Sequence, residues 1–225
     1  MKRSQTREKQ YQFLLERRRK GMSQFGLMSS QAWQDDPKRL TFTLSRYKFV
    51  GKMLSGLDKV LEVGCADAFG SRVVKQEVKH LTVTDFDPIF IDNAIEVMDP
   101  RWPYVAKVHD MLRGPIEGNF DAAYALDVIE HIQMRKEKRF VRNIVNSLNS
   151  HGVLILGCPS IQSQVYASPP SKAGHVNCKD GPAMKSLLQH FFHNVLVFAM
   201  NDEVVHTGFF PMAQYIIGIG STKRK

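Results

Sequence analysis

The chain has 225 residues and a mass of 25.7 kDa, enough for one medium domain with an extension and too little for two independent enzymatic domains. With 43 % hydrophobic and 24 % charged residues, its composition is that of an ordinary globular protein and excludes bulk disorder. No apolar run approaches the roughly 18 residues that span a bilayer, and the basic, polar start MKRSQTREKQ has no apolar stretch behind it of the kind a secretory signal needs. A cytoplasmic protein without a membrane partner is the expectation.

The formal charge of +9 is concentrated at the ends. Residues 1–50 carry 12 Lys/Arg against 4 Asp/Glu, and Lys223, Arg224 and Lys225 close the chain, whereas 51–222 holds 16 basic and 18 acidic residues. A near-neutral centre argues first for solvated basic tails and only second for a nucleic-acid partner held by the N-terminus. Cys65, Cys158 and Cys178 are widely spaced with no CxxC pair, so neither a disulfide framework nor a zinc site is expected.

In chain order, 1–20 reads as a peripheral helix with Tyr11, Leu14 and Leu15 on one face and a basic end. Residues 21–36 read as a Ser/Gln-rich connector, and Pro37 opens a second helical stretch carrying Leu40, Leu44, Tyr47 and Val50. From Asp58 short β-rich runs alternate with helical ones: 59–63, helix to about 78, 81–85, helix 88–98, 104–109, 120–125, helix 134–149 and 152–157. Such alternation predicts a parallel sheet with helices on both faces. After a helix near 180–190, the runs 194–200 and 213–219 are joined by 201–212, too short for a crossover helix, so these two strands should be antiparallel. The aromatic and methionine residues of 1–55 would either form a lid over an acceptor pocket or pack on the sheet; the sequence favours neither.

The strongest local signal is VLEVGCADAFG at 60–70, an apolar strand entering a turn of small residues and then a helix, where an open α/β sheet binds its ligand. A dinucleotide fingerprint fails here: counting from Gly64, the next glycines are replaced by Ala66 and Phe69. Glu62, Asp85, Asp110 and Asp127 then mark four successive strand ends. Such an acidic rim repels a pyrophosphate but suits S-adenosylmethionine, with its sulfonium, ammonium, ribose hydroxyls and adenine amine.

With these residues the chain resembles the class I S-adenosylmethionine-dependent methyltransferases over about 58–160. VLEVGCADAFG is similar to motif I, LTVTDFDPIFIDNA to the acidic second-strand motif, VHDML to the adenine-side motif, and FDAAYALDVIEHI to the fourth-strand motif of small-molecule members of the type 11/12 kind. The resemblance implies a Rossmann-like doubly wound α/β sheet of seven strands ending in an antiparallel hairpin, with 1–55 as an extension and 56–222 as the cofactor-binding domain. It implies that Glu62, Gly64, Cys65 and Ala66 lie beside the methionine part, that Asp85 holds the ribose with Phe86 against adenine, that Asp110 and Met111 flank adenine, and that Leu126 and Asp127 close the pocket by the methyl. Asp110 as a turn former is the competing reading. Ala66 and Ala68 depart from the family's glycines, each adding one methyl to the turn.

Of eight histidines, three are catalytic candidates. His131 follows the fourth strand, with a capping or buried role as the equal alternative; His175 sits in the Pro/Gly-rich connection SPPSKAGHVNC; His206 lies between the last strands near Glu203. The spacing of Glu203 and His206 matches no familiar ligand motif, and no metal site is expected. The resulting expectation is methyl transfer to an oxygen or nitrogen of a small polar metabolite, such as a sugar or an intermediate of polysaccharide or natural-product assembly. Absence of an NPPY-like tetrapeptide after the fourth strand supports it. The alternatives are an RNA methyltransferase using the basic N-terminus and a non-catalytic interaction module of the same fold.

Overall fold

The apolar runs from Lys59 onward assemble into one sheet whose strands alternate with helices, in a computed structural model that describes residues 5–224. Five parallel strands, β1 (Lys59–Val63), β2 (His80–Asp85), β3 (Val105–Val108), β4 (Phe120–Leu126) and β5 (Leu148–Pro159), lie in the order β3-β2-β1-β4-β5. The sheet continues through β8 (Tyr215–Lys223) and β6 (Phe192–Asn201) to β7 (Val204–His206). β8 runs antiparallel to both β5 and β6, as the short 201–212 connection requires.

The sheet has eight strands, not the expected seven. Asp202, at φ +48°, turns the chain within 201–204, so that Val204–His206 folds back on Ala199–Asn201 as an edge strand. That turn sits inside a segment read as a simple link.

Helices cover both faces, as buried two-sided strands demand. On one face α6 (Met134–Ser147) presents Phe140, Val141, Ile144 and Val145 at helical spacing, and α8 (Gly181–Gln189) adds Met184, Leu187 and Leu188 over Leu61, Ala123 and Leu156. On the other, α3 (Lys38–Met53) sends Tyr47 and Val50 onto Val60, Val83 and Tyr124, joined by Val74 of α4 (Ser71–Lys75) and by Ile91 and Ala94 of α5 (Pro88–Glu96).

The N-terminal region departs from expectation in two places. The expected helix 1–20 is a 3-10 turn followed by α1 (Gln12–Arg19) with no buried residue, and residues 1–4 lie outside the described residues. The expected connector 21–36 contains α2 (Leu27–Asp35). Its start is set by tertiary contacts: Ser29 donates through both N (2.7 Å) and Oγ (2.8 Å) to Asp67 Oδ2, Gly26 N donates to Ser29 Oγ (2.8 Å), and Leu27 N donates to Asn93 Oδ1 (2.8 Å). Gly26 is obligatory there because a Cβ would lie 2.3 Å from that of Asp67. The 168–178 connection likewise contains α7 (Pro169–Gly174), capped by Ser168 accepting from Ser171 N. Among the described residues no helix is long and apolar enough to cross a membrane.

Because Asp67 is buried and receives two Ser29 donors, Asp67→Ala should destabilise the chain by about 1–3 kcal/mol. Proteolysis should then quicken within 20–27 more than elsewhere. Urea unfolding combined with limited proteolysis checks both effects.

Candidate functional site

The turn after β1 is the floor of the site. Gly64 N and Cys65 N both donate to Thr84 O (2.7 and 3.0 Å), and Ala66 N donates to Asp85 Oδ2 (3.1 Å), so the end of β2 holds the turn. Gly64, Ala66 and Ala68 all take left-handed backbone, at φ +78°, +46° and +54°. The two alanines adopt the conformation for which glycine is the usual choice, at a cost of roughly 1–2 kcal/mol each.

Above this turn lies a cavity of about 560 Å³. Its walls come from α2 and α3 (Met28, Arg39, Phe42, Arg46), from the end of β4 and the following turn (Leu126, Asp127, Glu130, His131), and from the 159–175 segment (Pro159, His175). Thus α3 both packs on the sheet through Tyr47 and Val50 and walls the cavity through Arg39 and Arg46.

Of the ten cofactor candidates, Gly64, Cys65, Ala66, Leu126 and Asp127 border this cavity; Glu62, Asp85, Phe86, Asp110 and Met111 do not. Glu62 is buried and accepts from Tyr47 Oη (2.8 Å) and Tyr124 Oη (2.7 Å). Burial nevertheless raises its pKa, against the lowering by Ser71 and the two tyrosines. Asp85 accepts from Ala66 N and from Asp87 N (3.0 Å), which leaves further lone pairs, and Phe86 is exposed. Asp110 accepts from Leu112 N (2.8 Å), the turn-forming role weighed against adenine contact. Met111 has its side chain buried in the core with Leu61, Ile116 and Phe140, and its carbonyl oxygen accepts from Asn143 Nδ2 (2.6 Å).

The three histidines separate. His131 and His175 border the cavity with ring centroids 5.2 Å apart and planes at 69°. His131 Nδ1 is 3.0 Å from Gly174 O and His175 Nδ1 is 2.8 Å from Gln164 Oε1. Burial, then the neighbouring His131, lowers the pKa of His175. His206 stands apart from the other two. It is on edge strand β7, outside the cavity lining, with Nε2 against Asn201 Oδ1 and Nδ1 accepting from Gly208 N (both 2.8 Å), and Glu203 beside it accepts from Thr41 Oγ1 (2.8 Å).

Two residues that the sequence did not single out dominate the electrostatics. Arg46 Nη1 donates to both oxygens of Asp127 at 2.8 Å, and its guanidinium stacks 3.8 Å from the centroid of the Tyr215 ring. Asp127 is itself at φ +57°, a strained conformation where β4 ends. Glu130 is 1 % exposed, and its Oε2 has no hydrogen-bond partner. Burial first, then the charge of Asp127, pushes its pKa well above the usual carboxylate range. Glu130 stood in DVIEHI beside His131, but a polar turn after a strand gives no sign that its carboxylate is enclosed. Arg46 reads as one more polar residue on an amphipathic helix.

Removing the guanidinium leaves Asp127 facing the cavity without its cation and strips a ring face. Arg46→Ala should therefore cost about 1–3 kcal/mol, below the full figure for a buried pair because both side chains retain some solvent contact. Urea denaturation of the variant measures it, and a change under about 0.5 kcal/mol would remove this pair from the list of stabilising contacts.

Residues 61–156 match the family model described as a methyltransferase domain. No curated protein matches the sequence. Among solved structures, the N-methyltransferase NodS from Bradyrhizobium japonicum WM9, in complex with S-adenosyl-L-homocysteine, aligns at 17 % identity over 84 % of this chain and 90 % of its own, with a TM-score of 0.59. The putative methyltransferase complexed with the Haloferax volcanii Trm112 activator aligns at 10 % identity over 86 % and 97 %, TM-score 0.66. The methyltransferase domain of bacterial CtHen1-C aligns at 13 % identity over 81 % and 100 %, TM-score 0.65. These likenesses establish the fold. The family match runs from β1 to β5 and includes the turn that floors the cavity; together with the shared fold it supports a class I S-adenosylmethionine-dependent methyltransferase.

Proposed function

We propose that the protein transfers the methyl group of S-adenosylmethionine to an oxygen or nitrogen of a small polar metabolite. The observation that carries this reading is the cavity: about 560 Å³, within the range of small-molecule sites, roofed by α2 and α3 and lined by Arg39, Arg46, Asp127, Glu130, His131 and His175. A site of this size with so many polar groups suits a hydroxylated or aminated metabolite better than an extended polymer.

The residues fit the cofactor by their chemistry. Asp127 offers a carboxylate where a sulfonium or an ammonium would be stabilised, and the turn with Gly64 and Ala66 in left-handed conformation brings backbone close to the methionine part. Asp85 retains lone pairs for the ribose, Phe86 offers an exposed ring to adenine, and Asp110 stands at the next strand end. The cofactor supplies a reactive methyl on sulfur. The chain's task is then to orient the acceptor in line with it and to exclude water, for which α2 and α3 act as the lid. His131 and His175 border the acceptor side.

Calorimetric titration with S-adenosylmethionine should give micromolar binding, and Asp85→Ala should weaken it by about 1–3 kcal/mol through the lost charge-assisted bonds. Transfer of labelled methyl should then appear on members of a sugar and metabolite panel and not on RNA. Transfer to RNA alone, abolished by removing 1–20, would replace this reading with the nucleic-acid one; cofactor binding with no transfer to any acceptor would count for the non-catalytic module.

A further inference from the structure

We propose that Glu130, His131 and His175 form a binding site for a divalent first-row transition metal ion at the acceptor side of the cavity. One ligand atom from each of the three lies within 4.8 Å of the others, close enough to share an ion. The set joins a turn after β4 to the segment beyond α7, and the backbone fixes that junction: Val176 N and Asn177 N both donate to Glu130 O, at 2.8 and 3.0 Å.

The hydrogen bonds prepare the ligands. Gly174 O can only accept, so the Nδ1 of His131 that faces it carries the proton, and Gln164 Oε1 sets the same tautomer in His175. In each neutral ring the lone pair therefore resides on Nε2, and the orienting bond to a carbonyl-type oxygen is the arrangement that metal-bound histidines use. Glu130 supplies the independent sign of a ligand. Its carboxylate is enclosed and borders the cavity, Oε2 has no hydrogen-bond partner, and no ion pair among the described residues reaches it, since Arg46 is engaged with Asp127.

Two imidazoles and one carboxylate favour zinc, manganese, cobalt or nickel over magnesium or calcium, which prefer all-oxygen shells. Three protein ligands leave positions open toward the cavity, as catalytic metal sites do. Granting the small-metabolite reading above, an acceptor hydroxyl oxygen would take one of them. Its O–H bond then breaks with the electron pair remaining on oxygen and the proton passing to solvent water, so the ion lowers the hydroxyl pKa and presents an oxygen nucleophile. This deepens the proposed function by selecting oxygen, not nitrogen, as the methylated atom.

The test is titration of the full chain with Co²⁺, followed by visible absorption and calorimetry, with Zn²⁺, Mn²⁺ and Mg²⁺ in parallel. The expected result is one equivalent of Co²⁺ bound without a thiolate charge-transfer band, and Mg²⁺ bound far more weakly. His131→Ala, His175→Ala and Glu130→Gln should each weaken Co²⁺ at least about tenfold, while the exposed His151→Ala changes nothing. His131 is exposed and His175 half-buried, so their variants fold, and the melting temperature of Glu130→Gln controls for the buried site. No Co²⁺ binding, binding undiminished in both histidine variants, or a thiolate band would overturn the site. S-adenosylmethionine titration of the same samples separates the two ideas: cofactor binding without metal binding sinks this inference alone, and metal binding without cofactor binding sinks the proposed function alone.

Discussion

Backbone donors at the end of β1 have to be satisfied while the chain reverses direction, and the site rests on how this is done. Thr84 O takes the amides of Gly64 and Cys65, the Asp85 carboxylate takes that of Ala66, and Thr84 Oγ1 donates back to Glu62 O at 2.8 Å. β2 thus fixes the turn through its backbone and its last side chain. With its amides held from below, the turn keeps left-handed φ at Ala66 and Ala68, and the cavity has a rigid floor.

Charge balance organises the rest of the site. Asp127 leaves β4 in a strained conformation and would be an isolated carboxylate without Arg46, which α3 delivers from 81 residues earlier in the chain. Tyr215, on β8, supplies the ring beneath that guanidinium, so one ion pair links α3, the fourth strand and the antiparallel end of the sheet. Glu130 is left as an enclosed acid with no such partner, its pKa raised by burial and by Asp127. An enclosed carboxylate is stable only when something compensates it. The two histidines beside it, with their orienting bonds to Gly174 and Gln164, are the other members of the metal site proposed above.

The elements that came through from sequence are those with strong local patterns. β1, β2 and β4 lie within a residue or two of their expected limits because continuous apolar runs bounded by turn residues have one good solution, burial on both faces. The antiparallel β6–β8 pair followed from connection length alone. α2 was missed because its start depends on Asp67 and Asn93, partners 38 and 66 residues away. β7 was missed because three residues at a sheet edge carry too little pattern to register.

For the site, the division runs along the same physical line. Sequence alone determined the sheet class, the turn after β1 and the acids at successive strand ends, since strand termini follow from hydrophobic periodicity and the residues that end them can be read directly. Tertiary structure decided which of those residues meet. It turned Met111 into the core, sent His206 to the outer edge, and set His131 beside His175. It also brought Arg46 to Asp127 and enclosed Glu130. Burial and pairing of a charged side chain depend on elements distant in the chain, and no local pattern of residues encodes them.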